Sequence, residues 1–393
     1  MTIDIQEQFI NLVRLGIGAS KDAKIPNDVD WVQLKALTDR QGLSAVVLDG
    51  IDIHGSQSSK SEENPTKNLS NTQLSTVPQL SSLNPQLKLE WIGEVLQGEQ
   101  TYKLHQEVAT DMANLFHKNG IRTYVLKGRI FAECYPKPNH RVSSDIDCFL
   151  TKDIQEFYGL RVQGEDALQK AWNLGNELIK AKHFDVYTDF YKNSTFKLPG
   201  LTVENHQFLT PFRGNERLAS LEKVLRALLR SDKGEDIIEG TWLYRPPVMV
   251  SALFLIEHAY SHFLHEGLTW RMVLDWVLFS KKHKTEIDWA SFEAYMDEFG
   301  FRKFYDSFSR LGQYLIGEFQ DSSFRVQERK MLADVWAPLD LHESLHGVKA
   351  KFQLAGNYWR ARWKYKYFTD MTWMRALYEW VAGAAFDRHP TLE

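Results

Sequence analysis

The run Arg141-Val-Ser-Ser-Asp145-Ile-Asp147-Cys-Phe-Leu150 constrains the fold of this chain more than any other stretch. Ile146, Cys148 and Leu150 alternate with Asp145, Asp147 and Phe149. A period of two predicts a strand that carries both aspartates on one face and the apolar residues on the other. Two like charges so close repel each other, and sheltering them is costly unless a cation sits between them. A hard divalent cation resolves the conflict, because Mg2+ takes a few protein oxygens and completes its shell with phosphate oxygens. The strand therefore points to chemistry on phosphate groups.

What precedes and follows the strand sharpens this. Residues 121–126 form a short β-rich run, and Lys127-Gly128 turns it toward a helix expected to reach Tyr135, before Pro136 and Pro138. A helix start after a strand offers free backbone N–H groups that suit a phosphate. Further on, Glu204 sits between apolar neighbours in Leu201-Thr-Val-Glu204-Asn-His206. A neighbouring strand would bring it beside the aspartates as a third carboxylate. Asp145, Asp147 and Glu204 are the expected metal ligands, with Glu204 alternatively a base toward an acceptor hydroxyl. Lys127 and Arg141 are the nearest candidate phosphate contacts. Metal ions about 4 Å apart would orient a triphosphate and stabilise charge on its oxygens. Such transfer needs positioning and electrostatics more than covalent chemistry. His206 shares the strand face of Glu204 and reads as a satisfied structural histidine.

Length and composition set the frame. A chain of 393 residues can bury a sizeable core in one to three domains. The net charge of −4 gives no global pull toward nucleic acid or anionic membrane. Two cysteines, Cys134 and Cys148, lie in apolar segments, as expected for buried thiols in a reducing compartment. The first residues carry acids where a secretory signal would carry basic residues, and residues 248–256 are too short an apolar run to span a bilayer. The expectation is a cytoplasmic protein with no membrane segment.

Periodicity divides the chain into four parts. Residues 1–53 read as an N-terminal helical region, through Phe9, Leu12 and Val13 and then Trp31, Leu34 and Leu37 with a break at Gly42. Residues 54–87 turn to Ser, Asn, Gln, Thr and Pro and read as a low-complexity linker or insertion. Residues 88–215 form the expected catalytic core: a helix ending at Asn119-Gly120, the strands described, a helix over 165–182, and strands over 184–190, 194–198 and 201–206. Residues 216–393 read as a helical C-terminal domain. Strands grouped between helical regions, without repeated βαβ alternation, predict an α+β fold.

These residues resemble the DNA polymerase β-type nucleotidyltransferase superfamily, with its strand, glycine turn, Asp-h-Asp pair and later acidic strand residue. The chain is more closely similar to an uncharacterised bacterial nucleotidyltransferase family. The pattern is carried by Leu126-Lys127-Gly128, Tyr135-Pro136-Lys137-Pro138, Arg141, Asp145-Ile146-Asp147 and Val203-Glu204-Asn205-His206. Asp30-Trp31, the Gln41-Gly42 pair, His258, His262, Trp270-Arg271 and Asp275 extend it. The resemblance implies a minimal nucleotidyltransferase mixed sheet flanked by N- and C-terminal helical regions. It also implies Mg2+ dependence, with Mn2+ as the alternative, and an NTP donor such as ATP. It implies nucleotide binding at Lys127, Gly128, Arg141 and Ser144. It supplies no acceptor, which is a small molecule or a protein group. Two positions depart from the pattern. Lys127-Gly128 stands where the superfamily has Gly-Ser, so the usual serine contact to phosphate is missing, and Ser144 replaces a glycine.

Two other readings start from other residues or outcomes. A catalytically silent nucleotide-binding or interaction protein would use the same fold without turnover. His258 and His262, one helical turn apart, could instead ligate zinc in a hydrolase, although the Glu of a metalloprotease motif is not between them. Residues 351–366 hold five basic and no acidic residues, interleaved with aromatics. Trp359, Trp363 and Tyr367 share a helix face there, a pattern commoner in cores than in base-stacking platforms, and a nucleic-acid partner is not expected.

Overall fold

The computed structural model describes residues 4–21, 25, 29–61, 83–152, 165–188, 193–198, 200–211, 215–234, 236–337 and 348–375. Three helices open the chain: α1 (Ile5–Gly16), α2 (Trp31–Gln41) and α3 (Ser44–Ser61). Asp30 caps α2, accepting from the Gln33 N–H, and Gly42 closes it in the left-handed conformation. Most of the polar segment expected as a linker, residues 62–82, lies outside the described residues, with α3 reaching Ser61 before it. The long α4 (Pro85–His117) begins after it, capped by Asn84 with proline in the first turn.

The central part alternates strands and helices: β1 (Ile121–Val125), α5 (Arg129–Ala132), β2 (Asp145–Lys152), α6 (Glu165–Lys180), β3 (Val186–Thr188), β4 (Asn193–Leu198) and β5 (Leu201–His206). After α7 (Glu216–Ser231) comes β6 (Leu243–Tyr244). The chain then continues through α8 (Val248–His265), α9 (Trp270–Lys282), α10 (Trp289–Glu298), α11 (Arg302–Leu315), α12 (Val326–Trp336) and α13 (Val348–Phe368). The fold is α+β, with helical N- and C-terminal regions flanking one mixed six-stranded sheet of order β3-β4-β5-β2-β1-β6.

β2 occupies the middle of the sheet, antiparallel to β1 and parallel to β5. Ile146, Cys148, Phe149 and Leu150 are all buried, so both faces of its later half are covered. On one face α6 presses so closely that a Cβ at Gly175 would collide with the Leu150 side chain. Cys148 is a free thiol that burial pushes to higher pKa, and Cys134 is also free.

Two expectations change. Residues 201–206 are not the last strand, since β6 pairs parallel with β1 through Thr123–Leu243 and Tyr124–Tyr244. Two residues carry no periodic signal, and pairing with the β1 edge makes them a strand. The helix expected from Gly128 to Tyr135 is a single turn, and Pro138–His140 forms a 3-10 turn soon afterwards. So few aligned peptides sum to little dipole, which removes the helix start as a phosphate cradle.

The terminal helical regions share one core with each other. Gln41 is fully buried; its amide donates to the Val335 carbonyl at 2.9 Å and accepts from the Trp270 N–H at 2.7 Å. Arg14 donates from Nε to the Leu315 carbonyl at 3.0 Å and from Nη2 to the Tyr314 carbonyl at 2.6 Å. Near the other end, Lys364 of α13 is buried and donates to Asp334 at 2.9 Å. The side chains of residues 351–355, 357 and 358 lie outside the described residues. Of the aromatic face beside them, Trp359 is exposed while Trp363 and Tyr367 are partly buried.

Helices α1 and α3 cross backbone to backbone. A Cβ at Gly16 would run into the Val46 carbonyl oxygen, and one at Gly50 into that of Leu12. Neither contact has a flexible side chain that could yield. Gly50→Ala should therefore lose roughly 1–3 kcal/mol of stability in urea unfolding. Gly93→Ala, at an exposed site in α4 with open space around it, should gain up to about 1 kcal/mol. A Gly50→Ala protein no less stable than Gly93→Ala would contradict this packing.

Candidate active site

The register of β2 and β5 builds the site. Asp147 lies directly beside Glu204, and Asp145 beside Thr202. Alternation along each strand then puts Asp145, Asp147, Glu204 and His206 on one face. Lys127 comes from the end of β1 on the opposite flank of β2. Its Nζ lies 3.2 Å from Asp147 Oδ1 and 3.5 Å from Asp145 Oδ2. The two aspartates thus share one ammonium.

Asp147 is the electrostatic centre. Its side chain has no accessible surface. Burial would push its pKa up, but the Lys127 charge and then the His206 hydrogen bond hold it down at about 2. Burial likewise opposes the Lys127 charge, and Asp147, Asp145 and Glu204 raise that lysine above its ordinary value. His206 Nε2 sits 2.9 Å from Asp147 Oδ1 and 3.5 Å from Glu204 Oε2. Asn193 on β4 donates to Glu204 Oε2 at 2.7 Å, fixing that carboxylate from its other side.

Asp147, Glu204 and His206 each offer a donor atom within 4.8 Å of the others. Among the described residues, this is the group that could hold a metal ion. Asp147 Oδ2 is buried with no hydrogen-bond partner among those residues. An orphaned buried carboxylate oxygen is expensive, and a cation is the partner it fits. Of the three expected ligands, Asp147 and Glu204 fall in this group, while Asp145 lies outside it and shares Lys127 with Asp147.

The turn between β1 and β2 sets the entrance. Gly128 has φ +68°, where any side chain would be strained, and a Cβ there would lie 3.2 Å from Ser143 Oγ. Ser143 thus brings a hydroxyl against the glycine, at the junction where the sequence lacks a serine. It donates to the Asp145 carbonyl at 3.1 Å. Ser144 is exposed at the cleft edge.

Arg141 is buried rather than free at the surface. Its Nε and Nη2 donate to Asp275 of α9 at 2.8 and 2.7 Å, and Tyr135 adds a hydrogen bond to Asp275 Oδ1 at 2.8 Å. The fork leaves Nη1 buried with no partner among the described residues. Arg141, Lys127 and Arg271 together line a cavity of about 140 Å³ that also touches Asp145. Burial lowers the Arg271 pKa, followed by the like charge of Arg141. A second cavity, of about 170 Å³, is lined by His206, His258, Ser261, His265 and Glu257. Phe254, His258 and His262 of α8 border both. His258 and His262 therefore form cleft wall, and neither belongs to a three-donor metal group among the described residues.

The chain belongs to a family described as uncharacterised nucleotidyltransferase, whose sequence model matches residues 27–317. No curated protein and no solved structure matches it.

His206 is the member of the three-donor group that the sequence reading took as a satisfied structural histidine, and it is hydrogen-bonded to Asp147. Its one legible signal was the two-residue spacing from Glu204, which puts both on one strand face. Asn193 and Ser143 carried no comparable signal, and Arg271 stood in the sequence pattern only as half of a Trp-Arg pair with no role attached.

His140 anchors the segment leading to Arg141. Its Nδ1 lies 2.6 Å from Asp49 of α3, and its Nε2 2.9 Å from Glu99 of α4. Burial pushes this imidazole down, but hydrogen bonds and charge from Asp49, then Glu99, outweigh it and the nearby Lys137, so its pKa is raised. A raised folded pKa contributes stability that is fully present below the unfolded value, about 6.5, and lost as pH rises through the folded value. The stability gap between wild type and His140→Gln should therefore shrink in urea unfolding from about pH 6 to pH 9. A gap that stays constant or widens would contradict the clamp.

Proposed function

We propose that this protein is a divalent-metal-dependent nucleotidyltransferase of the DNA polymerase β-type superfamily. It would move a nucleoside monophosphate from an NTP to an acceptor hydroxyl. The observation that carries this reading is the orphaned Oδ2 of buried Asp147 beside Glu204 and a cavity lined by Lys127, Arg141 and Arg271. Asp145, Asp147 and Glu204 are the proposed catalytic and metal-holding carboxylates. The bound ion, Mg2+ or Mn2+ on the family likeness, would supply Lewis-acid stabilisation of phosphoryl oxygens and a lowered pKa for the acceptor hydroxyl.

The protein groups have separable tasks. Lys127 is held by both aspartates and stands at the edge of the cationic cavity, so it can neutralise triphosphate oxygens there. Arg141 lines the same space while Asp275 fixes its guanidinium plane, which puts a preorganised positive charge beside the cavity. Gly128 keeps the adjoining backbone free of a side chain, and Ser143 and Ser144 offer hydroxyls at the rim.

Displacement at phosphorus places the entering and leaving oxygens roughly in line. The two cavities suit that requirement, with the leaving pyrophosphate against the cationic residues and the acceptor against His206 and His258. No lysine or arginine lines the second cavity, whereas Glu257 and Glu266 do. Its chemistry fits a small neutral or amine-bearing hydroxyl compound better than a phosphorylated acceptor or a nucleic acid.

The test is incubation with each α-labelled NTP, a divalent metal and a small-molecule extract. Transfer should occur with wild type and fall at least about a hundredfold in Asp145→Asn and Asp147→Asn proteins, a loss of several kcal/mol of charge stabilisation. Transfer that persists in an Asp145→Ala/Asp147→Ala protein would overturn the mechanism. Metal-dependent NTP binding without any transfer would identify a silent nucleotide-binding protein instead.

A further inference from the structure

Three lone-pair-bearing atoms converge beside Glu204: His206 Nε2, Asp147 Oδ1 and Glu204 Oε2, with Nε2 2.9 and 3.5 Å from the two oxygens. Such a meeting needs an electropositive centre between the atoms, either a hydrogen on Nε2 or a metal ion. A proton joins Nε2 to Oδ1 and leaves Asp147 Oδ2 still buried and unpartnered. An ion can serve the nitrogen and both carboxylates together.

The rest of the imidazole is disposed for ligation. Nδ1 lies 3.4 Å from the Phe208 carbonyl oxygen, so an ion that displaces the hydrogen from Nε2 leaves Nδ1–H a carbonyl to face. Ligating histidines commonly use their second nitrogen in this way. The ring also sits edge-on to Phe254, with centroids 6.4 Å apart, and is buried at 2% exposure. A ring held on two sides has little freedom to turn Nε2 away.

We propose that His206 is a direct nitrogen ligand and that the site formed with Asp147 and Glu204 selects a first-row transition-metal dication over Mg2+. Mg2+ favours a shell of oxygens and keeps several waters, whereas imidazole raises affinity for Mn2+, Co2+ or Zn2+. The proposal rests on the metal-dependent reading above but adds the donor and the class of ion. Asp145, which faces Lys127 rather than this trio, remains available to an Mg2+ ion that arrives with the nucleotide.

The full-length protein, stripped with a chelator, would be titrated with Mn2+ and separately with Mg2+, and the Mn2+ form examined by pulsed electron paramagnetic resonance. Mn2+ should bind at least about tenfold more tightly than Mg2+ and show spin-echo modulation from one histidine nitrogen. In His206→Asn that modulation should vanish and Mn2+ affinity fall by at least about tenfold, with Mg2+ affinity little changed. The wild-type spectrum decides the matter even if the variant does not fold. Tight Mn2+ binding without nitrogen coupling, or equal affinity for the two ions, would overturn this proposal and leave the nucleotidyltransferase reading standing. Failure of either ion to bind, even with a non-hydrolysable NTP present, would overturn both.

Discussion

A buried, ionised carboxylate at Asp147 is the condition to which the site is fitted. Removing such a charge from water costs several kcal/mol unless its neighbours replace the lost solvation. Lys127 and His206 compensate one oxygen. The other oxygen has no partner among the described residues. Charge balance around it is incomplete as well, because Asp145 and Glu204 draw on the same lysine. A bound cation would resolve both deficits, which is the electrostatic ground for the proposed metal site.

The fold keeps that costly arrangement in place through sheet register rather than loop conformation. Parallel pairing of β2 with β5 fixes Asp147 against Glu204 within the backbone ladder, and β4 adds Asn193 from the next strand. The cationic side is held from outside the sheet. Asp275 of α9 orients Arg141, and Asp49 and Glu99 grip the adjoining His140. Because Gln41 and Arg14 bind the first helices to the last ones, the elements that carry Asp49 and Asp275 belong to one packed body. Cleft geometry therefore depends on residues spread over most of the chain.

How far the sequence revealed this follows from the range of each interaction. Strand alternation is local, so Asp145, Asp147 and Glu204 could be placed on strands from spacing alone. The capping groups Asp30, Gly42 and Asn84 act within a turn of their own helix ends, where sequence patterns speak directly. By contrast, β6 is two residues long and exists because β1 has an edge to cover. The short α5 shows tertiary constraint overriding a pattern that allowed a longer helix. Arg141 looked like a free phosphate contact because its fork partner is Asp275, in a distant part of the chain. His206 was read as structural because a lone histidine on a strand usually is, and only the β2–β5 register reveals two carboxylates meeting its nitrogen.

In the proposed function, Asp147 and Glu204 hold an ion beside a triphosphate that rests on Lys127 and Arg141. A crystal structure of the protein with a non-hydrolysable NTP and Mn2+, with the ion located by its anomalous scattering, tests this most directly. The expected result is an ion in coordination contact with both carboxylates and phosphate oxygens against Lys127 Nζ and the Arg141 guanidinium. An ion and triphosphate bound elsewhere, with Asp147 Oδ2 still without a partner, would contradict it.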